Sequence, residues 1–135
     1  MKLKAYVDGG SRGNPGEAGI GVYFPGRVRI AEYLGAATNN FAEYSALLAA
    51  LRFAAFSRCE DLEVFADSEL VVKQIKGEYQ VKNEGIRVLY DSAIRWIALI
   101  PQFSISHVRR ENNKEADSLA NLAMDTHQNS VKWEP

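Results

Sequence analysis

Cysteine is almost absent: Cys59 stands alone, so no internal disulfide can staple the fold, and a reducing cytoplasm is the expected compartment. Histidine is nearly as scarce. His107 and His127 are twenty positions apart and do not make a zinc constellation. Charge of one sign is also lacking, with 16 basic residues against 17 acidic ones and a formal net charge of -1. No overall positive field therefore draws the chain to nucleic acid or anionic lipid, and a polyanionic partner must be gripped locally. No apolar run is long enough to span a bilayer, and MKLKAYVDGG lacks the apolar stretch of a signal peptide. A soluble intracellular protein without a membrane partner is expected. The phosphate-cradling patterns GxxxxGKS, GxxxxGKT and GxGxxG are missing, and no defensible Ser-His-Asp pattern exists, because His127 lies near the end and His107 reads as a structural strand residue.

What is present suits one globular domain: 135 residues, 47% of them hydrophobic. LKAYVD (3–8), GIGVYF (19–24) and RVRIAEYLG (27–35) read as three strands joined by short glycine-containing turns, hence an antiparallel meander. From Asn40 to Arg58 the apolar residues recur at helical spacing in an alanine-rich background. LEVFAD (62–67) is nearly all apolar, as a strand covered on both faces would be, and the helical pattern SELVVKQI follows at once. GIRVLYDSAIRWIAL (85–99) carries one apolar stripe and is closed by Pro101; FSISHV (103–108) is a fifth strand; ENNKEADSLANLAM (111–124) is the last helix. The expectation is an α/β fold, a mixed five-stranded sheet with three antiparallel strands, then parallel additions, and helices on both faces. Residues 1–125 form the domain, and 126–135 read as a polar, mobile tail that Trp133 could dock.

Four carboxylates fall at the ends of these elements: Asp8 closing the first strand, Glu43 opening the long helix, Asp67 closing the fourth strand and Asp117 early in the last helix. Each has a structural alternative. Glu43 stands at capping-box distance from Asn40, Asp67 could cap the next helix, and Asp117 could favour a helix dipole. Two strands ending in Asp are harder to explain that way, because ligands bind at the carboxyl edge of strands in α/β sheets. If the strands are parallel neighbours, Asp8 and Asp67 converge. Such a cluster repels itself unless a cation binds it, and oxygen-only ligands suit Mg2+ or Mn2+, which points to phosphoryl chemistry. Directly after Asp8 comes GGSRGNPG, whose glycines, asparagine and proline suit a hairpin turn.

Taken together, DGGSRGNPG (8–16), TNNFAE (38–43), ADSELVVKQI (66–75), VKN (81–83) and ENNKEAD (111–117) resemble ribonuclease HI of the ribonuclease H-like superfamily, in that family's order and over most of residues 2–124. The resemblance implies hydrolysis of the RNA strand of an RNA/DNA hybrid by two-metal-ion catalysis, with Asp8, Glu43, Asp67 and Asp117 holding two Mg2+ ions and Mn2+ as a substitute. It further implies that Gly9 and Gly10 let the backbone approach the RNA minor groove, that Asn14, Thr38, Asn39 and Asn40 touch groove or phosphate, and that Asn83 binds a phosphate of the DNA strand. Two departures from the larger bacterial members stand out. The basic helical handle after the Asp67 helix is missing, and VRRENN (108–113) replaces the loop that carries a mobile histidine. The pattern resembles the handle-less group and implies a monomer. Arg109 and Arg110 read either as steering charges or as solvated loop residues. A hybrid-binding module without hydrolysis and a metal-dependent DNA nuclease are the alternative functions.

Overall fold

Alternation sets the first strand: Leu3, Ala5 and Val7 are buried while Lys2 and Lys4 are exposed. The computed structural model describes residues 1–135, and in it β1 (Lys2–Gly13), β2 (Gly16–Phe24) and β3 (Val28–Ala37) form the expected antiparallel meander. Helix α1 (Asn39–Phe56) follows, then β4 (Asp61–Ala66), α2 (Glu69–Ile75), α3 (Glu84–Ile97), β5 (Gln102–His107), α4 (Lys114–Thr126) and β6 (Ser130–Trp133). β4 joins β1 in parallel and β5 joins β4 in parallel, each after a helical crossover. Residues 76–83 connect α2 to α3 with no helical insert, so the handle is absent from the fold as well as from the sequence.

The sheet has six strands, in the order β5-β4-β1-β2-β3-β6, not the five expected. The sixth comes from the segment read as a mobile tail. Ser130–Trp133 pairs antiparallel with β3 from Ala31↔Ser130 to Val28↔Trp133. The Trp133 ring sits 5.9 Å from that of Phe53, and the Glu134 carboxylate accepts from Arg29 Nε at 3.0 Å. Four residues of mixed polarity carry too little periodicity to announce a strand; the partner edge of β3 makes them one.

A second correction concerns Asp8. It does not end β1. The strand continues through the glycine-rich stretch and pairs with β2 from Tyr6↔Tyr23 to Gly13↔Gly16, which confines the hairpin turn to Asn14 and Pro15. Gly9 in β1, and Gly19 and Gly21 in β2, are bare because helices cross them. A Cβ on Gly9 would stand 2.2 Å from the Ala42 carbonyl oxygen of α1, and one on Gly21 would stand 2.1 Å from the Ala116 carbonyl oxygen of α4. Helices α1 and α3 cover one face around the main core of Val7, Ile20, Val22, Tyr44, Leu47 and Leu51; α4 covers the other with Leu119 and Ala123 against Ala31.

Adjacent glycines should therefore respond unequally to the same change. Gly9→Ala should lower stability by about 2 kcal/mol or more through overpacking. Gly10→Ala, whose Cβ would meet nothing nearer than the Asn39 side chain at 3.7 Å, should stay within about 0.5 kcal/mol of wild type. Urea midpoints of the two variants decide it, and equal losses would refute the close-packing explanation.

Candidate active site

The parallel pairing of β1 with β4 ends at Val7↔Ala66, so beyond that point β1 has β2 on one side and no strand on the other. The sheet thus has a notch at its carboxyl edge. Asp8 and Asp67 are the next residues on the two strands that border it. Glu43 reaches it from α1, whose first turn is fixed by Thr38: the Thr38 hydroxyl accepts from the Phe41 N–H at 3.1 Å. Because the helix starts at Asn39, Glu43 falls in its second turn and cannot form a capping box with Asn40. Asp67 is likewise not a cap, since Ser68 Oγ accepts from Val71 N–H at 3.3 Å. Both structural alternatives for these acids are thereby removed.

Carboxylate oxygens of Asp8, Glu43 and Asp67 all lie within 4.8 Å of one another. Asp8 is 5% exposed and Glu43 8%, and the buried Asp67 Oδ2 has no protein partner. Burial is the largest influence on Glu43, followed by the charges of Asp8 and Asp67; together they push its pKa up to about 9, against the opposing pull of Arg110 and the Gly9 N–H. Asp8 is driven the same way, to about 8, by burial first, then by Asp67 and Asp117. A cluster of oxygen donors with a partnerless buried oxygen and no adjacent buried cation fits a divalent metal ion.

Asp117 stands apart from this triad. It lies one helical turn into α4, half-buried, and its charge is one of the influences that raise the Asp8 pKa. Asp8 and Asp117 share an open cleft of about 320 Å³ whose wall includes Ser11, Arg12, Asn39 and Arg110. Both arginines are exposed, but Arg110, in the short 3-10 turn Arg110–Asn112, lines this cleft, whereas Arg109 stands 3.8 Å from Glu111. Of the two arginines, only Arg110 belongs to the site, a distinction that the loop sequence does not make.

The remaining expected contacts have structural occupations. Asn14 Oδ1 accepts from Asn39 N–H at 2.9 Å, and Asn39 Oδ1 accepts from Ser11 N–H at 3.3 Å, tying the hairpin to the start of α1. Asn83 caps α3, accepting from Ile86 N–H at 3.0 Å. Gly9 is covered by α1, so of the glycine pair only Gly10 lines the cleft with room above it. Asn40 is half-buried in the first turn of α1. His107, read as a structural histidine, is instead exposed at the end of β5. Sequence reasoning passes over Asn113, which is 1% exposed and donates through Nδ2 to the Val7 carbonyl at 2.8 Å. Its only sequence signal is an asparagine one turn ahead of an acid.

A mixed sheet in this strand order, with acidic side chains gathered at its notch, defines a ribonuclease H-like protein. The chain belongs to the ribonuclease H family: the profile of the reverse transcriptase-like family matches residues 7–123, ribonuclease H of Ruthia magnifica is 31% identical over 143 residues, covering 92% of this chain and 96% of that one, and ribonuclease HI of Halobacterium salinarum is 42% identical over 129 residues, 92% of this chain. The chain spans 65% of that relative's length and 36% of the mycobacterial relatives that it also matches. The crystal structure of RNase H1 from Halobacterium salinarum superposes with a TM-score of 0.86 at 39% identity, covering 93% of this chain and 98% of that one. LC11-RNase H1 in complex with RNA/DNA hybrid gives 0.84 at 35% identity, again covering 93% and 98%.

The raised pKa values imply a pH dependence whose sign is definite. An acid whose pKa is higher folded than unfolded contributes stability at low pH that is lost as pH rises toward its folded value. For Asp8 and Glu43 that window runs from their ordinary values of 3.8 and 4.5 up to about 8 and 9. Metal-free protein should therefore lose on the order of 5 °C in Tm between pH 6 and pH 9, and saturating Mg2+ should flatten the profile. Calorimetric scans in chelator and in Mg2+ test this; a chelated Tm that rises over that interval contradicts it.

Proposed function

We propose that this chain is a metal-dependent endoribonuclease that hydrolyses the RNA strand of RNA/DNA hybrids. The observation that carries the reading is the convergence of Asp8, Glu43 and Asp67 within 4.8 Å at a sheet notch, with Asp117 across the adjoining cleft. A desolvated, self-repelling cluster of this kind has no use in a passive binding module, which disfavours the nonhydrolytic alternative. Similarity to LC11-RNase H1, described in complex with RNA/DNA hybrid, supports the substrate assignment.

In this reading Asp8, Glu43, Asp67 and Asp117 hold two Mg2+ ions, for which Mn2+ can substitute. Bound there, the metal supplies Lewis acidity for water activation and for stabilising the departing 3′ oxygen. The chain's own groups do the rest. Asp8 and Glu43, the two acids that burial raises to about 8 and 9, give up their protons to become ligands, and the negative charge of the four carboxylates offsets that of two divalent ions. Ser11 and Gly10 offer the open edge of β1 to the RNA backbone and its 2′-hydroxyls, and Gly10 lets the duplex approach without a Cβ in the way. Arg12 and Arg110, on the cleft wall, meet the phosphates that flank the scissile bond. Asn14 and Asn39 keep the hairpin and α1 at fixed spacing around that groove. With no handle, grip falls on these few cations, which suits a protein whose net charge is -1.

Labelled RNA/DNA, RNA/RNA and DNA/DNA duplexes incubated with and without Mg2+ test the assignment. Cleavage should be confined to the RNA strand of the hybrid and abolished by chelation. Asp67→Asn should reduce turnover at least about 100-fold while leaving the metal-free fold as stable or slightly more stable, because the amide relieves repulsion around a carboxylate oxygen that has no protein partner. Cleavage that persists in chelator, or an Asp67→Asn variant that loses stability without losing turnover, contradicts the reading.

A further inference from the structure

Asn113 is the most deeply buried polar side chain in the protein, and the usual reason for an asparagine at its position does not apply. It occupies the N-cap of α4 yet makes no capping hydrogen bond. Its Oδ1 is buried without a partner, so the side chain is used only as a donor, from Nδ2 to the Val7 carbonyl at 2.8 Å. Val7 directly precedes Asp8. One turn on, the Asp117 N–H donates to the Asn113 carbonyl at 3.1 Å. A short chain of bonds thus runs from the residue before one site carboxylate to the backbone of another.

The opposite end of the same turn is held as well. Asn121 Nδ2 donates to the Asp117 carbonyl at 3.0 Å, while Asn121 Oδ1 accepts from the Arg12 guanidinium at 3.2 Å. Arg12 also pairs with Asp125 at 2.7 Å. Both tethers therefore start on β1, at Val7 and at Arg12, on either side of Asp8, and both end on the backbone of Asp117. The alternative is ordinary helix anchoring. Anchoring, however, is already supplied by Gly19 and Gly21, over which the backbone of α4 lies too close to admit a side chain. It would also not favour a buried amide with half its hydrogen-bonding capacity unmet.

We propose that Asn113 and Asn121 are positioning residues that form a two-point clamp on Asp117, setting its carboxylate at the distance from Asp8 that a shared divalent ion requires. The inference rests on the reading of Asp117 as a metal-site carboxylate. It accounts for how the one acid outside the buried triad, carried on a helix from the opposite face, is held in register with it. Groups that orient metal ligands typically cost about 10–100-fold in metal affinity or activity when removed.

The test is a double-mutant cycle on the full chain. Asn113→Ala and Asn121→Ala are made in the wild type and in Asp117→Asn, with circular dichroism to establish folding, calorimetric titration with Mg2+ alone, and steady-state kinetics on an RNA/DNA hybrid. Each clamp variant should weaken Mg2+ binding about 10-fold and lower kcat, with KM for the hybrid changed less than about 2-fold; in the Asp117→Asn background the further loss should be under about 2-fold. Equal losses in both backgrounds, or unchanged Mg2+ affinity in a folded variant, overturn the clamp. Should Asn113→Ala fail to fold, the half-buried Asn121 decides the outcome alone by the same readouts. Wild-type turnover in Asp117→Asn would instead overturn the reading of Asp117 itself, a result distinguishable from impaired Asp117→Asn with normal clamp variants.

Discussion

The protein is organised around a cost: three carboxylates are held together where water is largely excluded. Asp8 and Glu43 are almost fully buried and Asp67 has a buried oxygen without a partner, so in the metal-free chain the cluster persists by keeping protons at neutral pH. That arrangement is unfavourable for folding and favourable for capturing a small, hard dication. The rest of the architecture serves to enforce it. β4 stops one residue before Asp67, leaving β1 without a neighbour on that side of Asp8, and this opening lets acids from α1 on one face and α4 on the other reach the same place.

Enforcement is steric before it is electrostatic. Gly9 lies under the backbone of α1 at the turn that carries Glu43, and Gly19 and Gly21 lie under α4 close to the turn that carries Asp117. Each glycine brings a helix backbone nearer to the sheet than any side chain would permit, so each acid is delivered by a rigid element in close contact with the strand that bears Asp8 or with its immediate neighbour. The bare stretch after Asp8 is then doubly explained: one glycine admits a helix from within, and the next leaves the outer edge open.

Much of this is legible in the sequence. The three-strand meander, the parallel addition of the fourth strand and the convergence of Asp8 with Asp67 all follow from alternation, apolar runs and strand-then-helix order, because those signals are local and periodic. What escapes is what depends on a neighbour. β6 exists only because β3 offers a free edge, and nothing in SVKW declares it. That Gly9 also packs beneath α1 is hidden in the same way, because a sequence does not reveal which helix passes overhead. Asn14, Thr38, Asn39 and Asn83 match the family motif, yet each also bonds a backbone amide within the chain, and only coordinates reveal that. Asn113 escapes for the same reason, since burial of a polar residue is a property of the fold and not of its sequence position.

The central claim is that protons occupy the carboxylate cluster until a divalent ion replaces them, and counting those protons tests it most directly. Mg2+ titrated into metal-free protein at pH 7, in buffers of differing ionisation enthalpy, reports the number released per binding event. The account predicts release of at least one proton at pH 7, falling toward zero by pH 10, where Asp8 and Glu43 are already ionised. Mg2+ binding at pH 7 with no proton release would mean that the acids are charged and solvated in the free protein, and the account would be contradicted.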